Sequence, residues 1–329
     1  MAAMLASRRG ILLAASGLAA PTLLRAQTPW HPTRPVRIIV PFAAGGPTDI
    51  ITRFLQAPLA EALGQPMVIE NRPGAGGNIG IQIVGRAAAD GHTLLFVSSA
   101  FASNPALQPI DRPPYDPLRD FAPISNAATS PNAIVAHPSA GIRSLAEFVA
   151  RAKAEPGRID YSSPGNGTGP HLTAELFRRA AGIQINHVPF NGGAPAIQAV
   201  LAGTVPIGFA AMPAAQPQIR DRVLVGLATT GAERWPDLPD LPTAAEAGLP
   251  GFQAETWQAM LAPAGTPATV TERIAGIIAA VLRAPDAAPR LRGIGFRAVA
   301  SNPAEFAAQL AAEVPQMNTL ARDAGIRAE

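Results

Sequence analysis

The stretch Val36-Arg37-Ile38-Ile39-Val40-Pro41-Phe42-Ala43-Ala44-Gly45-Gly46-Pro47-Thr48-Asp49 runs from an apolar strand through a glycine turn straight into a helix. Such a turn aims the unpaired backbone N–H groups of the first helical turn at one spot, where an anion can sit. A second turn of the same kind, Ser163-Pro164-Gly165-Asn166-Gly167-Thr168-Gly169-Pro170-His171, follows strand-like residues 159–162 and opens another helix. Two facing anion cradles predict a cleft for a carboxylate.

Outward from these two turns, short apolar runs alternate with amphipathic ones. Strands are predicted at residues 36–40, 67–70, 93–97, 133–136, 159–162, 187–190, 205–209, 223–228 and 257–261. Helices are predicted over 50–63, 79–88, 145–154, 171–181, 194–201, 270–282 and 303–324. That alternation predicts an α/β fold with parallel sheets covered on both faces. Two proline-rich stretches, at residues 111–117 and 235–242, lack an apolar period and predict crossings between two lobes.

The first 26 residues stand apart. Ser7-Arg8-Arg9-Gly10 precedes an uncharged run over residues 11–24, and Arg25-Ala26 offers a small residue for cleavage before Gln27. The run is shorter than the roughly 18 to 20 residues needed to span a bilayer, so an export signal cleaved near Ala26 is expected, by the Sec or the Tat route. Its three arginines account for the whole formal charge of +3, leaving the mature chain near neutral. Neither nucleic acid nor an anionic membrane is implied as a partner. With no cysteine, disulfides, thiolate metal sites, a lipid anchor through an N-terminal cysteine and cysteine nucleophiles are excluded together. A soluble exported protein is expected.

Several motifs reduce to plainer readings. Gly74-Ala75-Gly76-Gly77-Asn78-Ile79-Gly80 imitates a dinucleotide fingerprint with one extra spacer, but Pro73 abuts it and Asp90 is poorly placed for a ribose, so it reads as a glycine-rich turn. Lys153 follows no glycine loop, which rules out a Walker site, and the mature chain has no G-x-S-x-G elbow. His171 and Glu175 share a helix face, yet two ligands make an incomplete metal site, and no metal or cofactor is expected. His171 could instead donate to an anion in its cradle. Asp49 would repel an anionic ligand, so it is expected to brace the first turn from outside, whereas Thr48 could cap the helix or touch ligand. Ser163, Asn166 and Thr168 add neutral donors to the second cradle, which bind a carboxylate without the desolvation cost of a buried arginine.

At these residues the chain resembles the Bug family, the periplasmic substrate-binding proteins of tripartite tricarboxylate transporters. The resemblance runs through Pro35-Val36-Arg37-Ile38-Ile39-Val40-Pro41-Phe42, Ala43-Ala44-Gly45-Gly46, Glu70-Asn71-Arg72-Pro73-Gly74-Ala75-Gly76-Gly77-Asn78, Tyr161-Ser162-Ser163, Gly165-Asn166-Gly167-Thr168, His187-Val188-Pro189-Phe190 and Leu249-Pro250-Gly251-Phe252. It implies a two-lobed periplasmic binding protein, type II-like, with mixed, mostly parallel sheets and a central ligand cleft. The lobes are expected at residues 27–131 plus 256–329 and at 132–255. It implies a monomeric solute receptor, not an enzyme, that delivers a di- or tricarboxylate or an aromatic acid to inner-membrane transporter subunits. Carried onto this sequence, the ligand contacts are Phe42, Ala43, Ala44, Gly45 and Thr48 on one lobe and Ser163, Gly165, Asn166 and Thr168 on the other. Ser98 and Ser99 match a further pocket loop.

The chain departs from the family where many members carry an aspartate then an asparagine, having Ala210-Ala211-Met212 after Phe209. Without an acid at Ala211 to pair an ammonium, a ligand lacking an amino group is expected. Pro164 also removes one N–H from the second cradle. The alternative is an exported hydrolase or lyase on a similar fold with His171 as base, which needs a second catalytic group that the sequence does not supply. A receptor that signals to a sensor kinase is a third reading.

Overall fold

A computed structural model describes residues 30–107 and 113–324. The expected export signal and its cleavage point lie outside these residues. Glycine turns punctuate a chain of ten strands and ten helices among the described residues.

The first sheet begins with β1 (Val36–Val40), whose five residues pack an almost wholly buried aliphatic ribbon between parallel partners β2 (Met67–Asn71) and β3 (Thr93–Ser98). Helix α1 (Pro47–Leu63) and helix α2 (Asn78–Gly85) connect them. A short α3 (Ala100–Ser103) then leads past the undescribed residues to β4 (Phe121–Ala136). The second sheet follows through α4 (Leu145–Ala154), β5 (Asp160–Ser163), α5 (Gly169–Ala181), β6 (Asn186–Pro189), α6 (Gly193–Leu201), β7 (Ile207–Ala211), α7 (Met212–Arg220) and β8 (Val225–Thr229). The chain returns to the first sheet by β9 (Glu255–Pro263), then α8 (Ala268–Leu282), α9 (Ala287–Gly293), the two-residue β10 (Arg297–Ala298) and α10 (Pro303–Ala324).

The strand order is β2-β1-β3-β9-β4-β7-β5-β6, with β8 and β10 also pairing β4. The joint is one strand. β4 pairs antiparallel to β9 from Phe121 to Pro131, and from Asn132 onward to β7 and β8. Two large aliphatic and aromatic cores sit on either side of this joint, one around Ile38, Phe96 and Ile274, the other around Phe148, Phe177 and Phe209.

Eight of the nine predicted strands and all seven predicted helices are present with ends shifted by a few residues; the ninth, at 133–136, is only the tail of β4. The first twelve residues of β4 escape the periodicity argument because Ser125, Asn126, Ser130 and Asn132 are all buried. Their partners lie on distant elements: Ser125 Oγ donates to Ser301 O at 2.7 Å, Asn126 Nδ2 to Gln309 Oε1 at 2.9 Å, Ser130 Oγ to Gly295 O at 2.8 Å and Asn132 Nδ2 to Thr173 Oγ1 at 2.7 Å, while Asn126 Oδ1 has no partner. Of the two proline-rich stretches, the first begins at residues outside those described, and the second is no bare linker. Trp235, Leu238 and Leu241 of the second one pack into a core with Val135 and Ile197 beside the second sheet. Two prolines also hid α7, although Pro213 sits in its first turn, where no N–H is needed. None of the described helices is long and apolar enough to cross a membrane.

Candidate functional site

Two adjoining cavities lie where the two sheets face each other. The smaller, about 30 Å³, is lined by the starts of four helices: Pro47 and Thr48 of α1, Gly169 and Pro170 of α5, Gly193 of α6, and Ala211, the residue capping α7. Ser98 at the end of β3, and Thr256 and Gln258 of β9, complete it. The larger, about 340 Å³, lies between Pro73 to Asn78, Asn104 and Leu107 on one side and Pro164 to Asn166 and Pro189 to Gly192 on the other. Phe42, Pro164 and Gly192 line both. Among the described residues, no Asp, Glu, Lys, Arg or His lines either cavity.

Each helix start carries roughly half a positive charge on N–H groups that have no partner within their own helix. Four of them border this small space without side-chain charge, an arrangement that suits one anionic group, although Pro47, Pro170 and Pro213 each remove one N–H from their first turns. Gln258 also lines the cavity: its side chain is buried and its Oε1, an acceptor with no hydrogen-bond partner, would take a bond from a ligand hydroxyl or N–H group.

The first cradle is held by an ion. Asp49, buried at the start of α1, accepts from Gly45 N at 2.9 Å, Arg53 Nε at 2.8 Å and Asn71 Nδ2 at 3.1 Å. Burial acts to raise its pKa, but the hydrogen bonds from Arg53, Gly45 and Asn71 outweigh it and hold the carboxyl below its ordinary value. Asp49 therefore braces the turn, as the sequence argument expects.

The second cradle is held by neutral groups. Gly165 N donates to Ser163 Oγ at 3.1 Å, and Ser163 Oγ lies 2.6 Å from His187 Nε2. His187 stacks on His171 with ring centroids 4.2 Å apart, and His171 Nδ1 accepts from Gly167 N at 3.1 Å. Burial pushes the His171 pKa down to about 4 and, with the neighbouring ring, that of His187 to about 3. Both imidazoles are neutral at pH 7, so the Gly167 bond needs the lone pair on His171 Nδ1. Thr168 Oγ1 donates to Gly165 O at 2.7 Å and closes the loop.

Of the residues expected to meet ligand, Phe42, Thr48, Ser98, Gly165, Asn166, Thr168 and Ala211 line the cavities. Ala43, Ala44, Gly45, Ser99, Ser163 and His171 line neither. Gly45, Ser163 and His171 are spent on the bracing bonds just described, Ala43 packs toward Gly192, and Ser99 N donates to Trp257 O at 3.1 Å. The sequence reading missed Gln258, Thr256 and the α6 start. Residues Phe190-Asn191-Gly192-Gly193 repeat the strand, glycine turn and helix pattern of the two cradles and could have been found by the same argument. Gln258 gives no such signal, since only the register of β9 against Ser98 places it.

The opposing walls touch. Ser103 Oγ donates to Gly167 O at 2.8 Å, and a Cβ on Gly193 would come within 2.9 Å of Pro47 Cδ. Gly167 adopts φ +76°, and a Cβ there would meet Asn104 Oδ1 at 2.3 Å. His171 offers no free base, and Ser163, though bonded to a histidine, is fully buried. Among the described residues there is also no group of three or more metal-ligating side chains.

Two sheets sharing a joint, closed over an anion-sized space, define a two-lobed solute-binding protein. The family model for the tripartite tricarboxylate transporter family receptor matches residues 51–326. The chain belongs to that family of periplasmic receptors. It is 40% identical over 257 residues to protein BugT of Bordetella pertussis, covering 78% of each chain. Among solved structures it is similar to Rpa4515 of R. palustris with adipate, at 34% identity and TM-score 0.86, over 90% of this chain and 99% of that one. MatC of Rhodopseudomonas palustris with bound malate is 32% identical with TM-score 0.82, over 88% and 99%.

Proposed function

We propose that this receptor binds a small carboxylate without an amino group, in the periplasm after export, and delivers it as a monomer to the membrane subunits of a tripartite transporter. The observation that carries the reading is the convergence of four helix starts on a cavity with no charged side chain. Adipate and malate, held by related receptors, are carboxylates of suitable size. The carboxylate sits among Thr48, Ser98, Thr168, Ala211 and Gln258, with the backbone of Gly193, and the rest of the ligand passes Phe42 toward Gly165 and Asn166. Ala43, Ala44, Gly45, Ser99, Ser163 and His171 shape the loops. We place the lobes at residues 27–131 plus 256–329 and at 132–255, because β4 exchanges partners between Pro131 and Asn132. The protein binds without turning its ligand over.

A thermal-shift screen of the mature chain tests this. A carboxylate at 100 times its dissociation constant stabilises by about 2.7 kcal/mol, while its amide gives no shift. Stabilisation by acidic amino acids alone would contradict the role of Ala211, and consumption of the ligand would contradict a receptor.

A further inference from the structure

We propose that the last turns of α10 are a clasp that holds the two lobes closed without help from ligand. Leu172, Met317 and Ala321, which line neither cavity, then set how tightly any solute is kept. This rests on the division into lobes between Pro131 and Asn132 and is independent of which carboxylate the cleft takes.

The clasp continues an apolar stripe along one face of α10. Phe306, Leu310 and Val314 recur at helical spacing and pack with Phe101, Ala102 and Trp257 in a core of the first lobe. Met317 and Ala321 extend that spacing past Val314, and there the stripe meets Leu172 of α5, across the lobe boundary. Leu107, Leu172 and Ala321 are buried together, with Ala106 and Met317 packed against them. Pro315 falls between the two parts of the stripe; it cannot donate to the carbonyl four residues before it, which removes a bond that would hold the last turns straight. On the other side, Ala174, Phe177 and Ala181 of α5 face the core of the second lobe, whereas Leu172 packs in the shared cluster.

A polar contact lies beside the cluster. Ser103 Oγ donates to Gly167 O at 2.8 Å, and a Cβ on Gly167 would come within 2.6 Å of Leu107 Cδ1, so the backbone of the second lobe rests directly on the turn Asn104–Leu107. Parting the lobes would return Leu172 and Ala321 to water, a cost that opposes opening whether or not the cleft is filled. A closed form populated in advance raises the affinity for every ligand by the same factor and leaves their ranking alone.

The test needs no ligand. Because the chain has no cysteine, spin labels go to two sites only, Arg86→Cys at the exposed end of α2 and Gln198→Cys on the outer face of α6. Double electron–electron resonance then reads the distance between lobes in the mature chain, freed of solute by unfolding in urea and refolding. The parent should show a short-distance population that falls at least threefold in Leu172→Asp and in Met317→Asp, one from each side of the clasp, and is kept in Leu172→Met. Gly193→Val, whose Cβ meets Pro47, reports whether the lobes move at all. If it lengthens the distances while both aspartate variants leave them unchanged, the clasp is overturned and the two-lobed reading stands. No change in any variant overturns both, and a parent without the short-distance population overturns the clasp.

Discussion

The two glycine turns that face each other across the cleft perform one task with opposite chemistry. In the first, an ionised Asp49 gathers Gly45, Asn71 and Arg53 around itself. In the second, neutral His187 and His171 hold the backbone through Ser163 and Gly167. A shape that presents N–H groups to an anion does not dictate how it is braced. An acid can serve where its charge is matched on the spot, and a neutral ring where none is available.

The comparison breaks most clearly in acid. His171 and His187 would bind protons near pH 6.5 when unfolded, and burial lowers those pKa values to about 4 and about 3 in the fold. The unfolded chain then holds more protons in mild acid, so this stability is complete above pH 6.5 and drains as pH falls toward 4. The loss from His171 alone is on the order of 3 kcal/mol. Glu175 and Arg178 flank the pair, and Glu313 elsewhere, raised by burial, works in the opposite sense. Urea unfolding at pH 7 and pH 5 should therefore show a drop that His171→Phe roughly halves, because His187 keeps its own share. An equal drop in that variant would mean the rings are not the cause. The Asp49 brace, by contrast, should weaken only below the ordinary carboxylate range, because its pKa is lowered.

Removing the acid brace comes next in size. Asp49→Ala leaves Gly45 N and Asn71 without their buried acceptor and should cost about 2 kcal/mol, the Arg53 share being small because that side chain is half exposed. The denaturant midpoint measures it, and a loss below 0.5 kcal/mol, about the scatter of ordinary surface changes, would show that the turn holds itself. Gly193→Val addresses the contact between cradles, not either brace. Its Cβ meets Pro47, so closure is blocked and carboxylate affinity should fall about tenfold, or 1.4 kcal/mol, with little change in melting temperature. The smallest effect expected is for Ser163→Ala. It should lower stability by about 1 kcal/mol yet move affinity less than threefold in calorimetry, because Ser163 lines neither cavity. A larger loss of affinity would place its hydroxyl on the ligand.

How much of this was legible depends on how local the cause is. The strand, turn and helix units of both cradles are written in adjacent residues, so β1, β5, α1 and α5 could be read directly, and the resemblance to known receptors joined them into two lobes. The partner of Ser163 is 24 residues away, and only the parallel pairing of β5 with β6 brings His187 beside it. Likewise β4 looks like no strand in isolation. Its serines and asparagines are core residues whose partners, at Ser301, Gly295 and Thr173, belong to distant elements. A polar residue satisfied by tertiary contacts is indistinguishable in one dimension from one satisfied by water.

Because β4 runs unbroken through both sheets, with β9 bonded along its first half, the two halves of the molecule are joined by a beam instead of a loose tether. A tether would let the halves wander, and each capture would have to recover that lost freedom. A hydrogen-bonded strand bends and twists as a leaf spring does, along one path and back. For a receptor that opens and closes, such a beam would keep the two jaws in register while apart, leaving the ligand only to complete a motion whose direction the backbone sets.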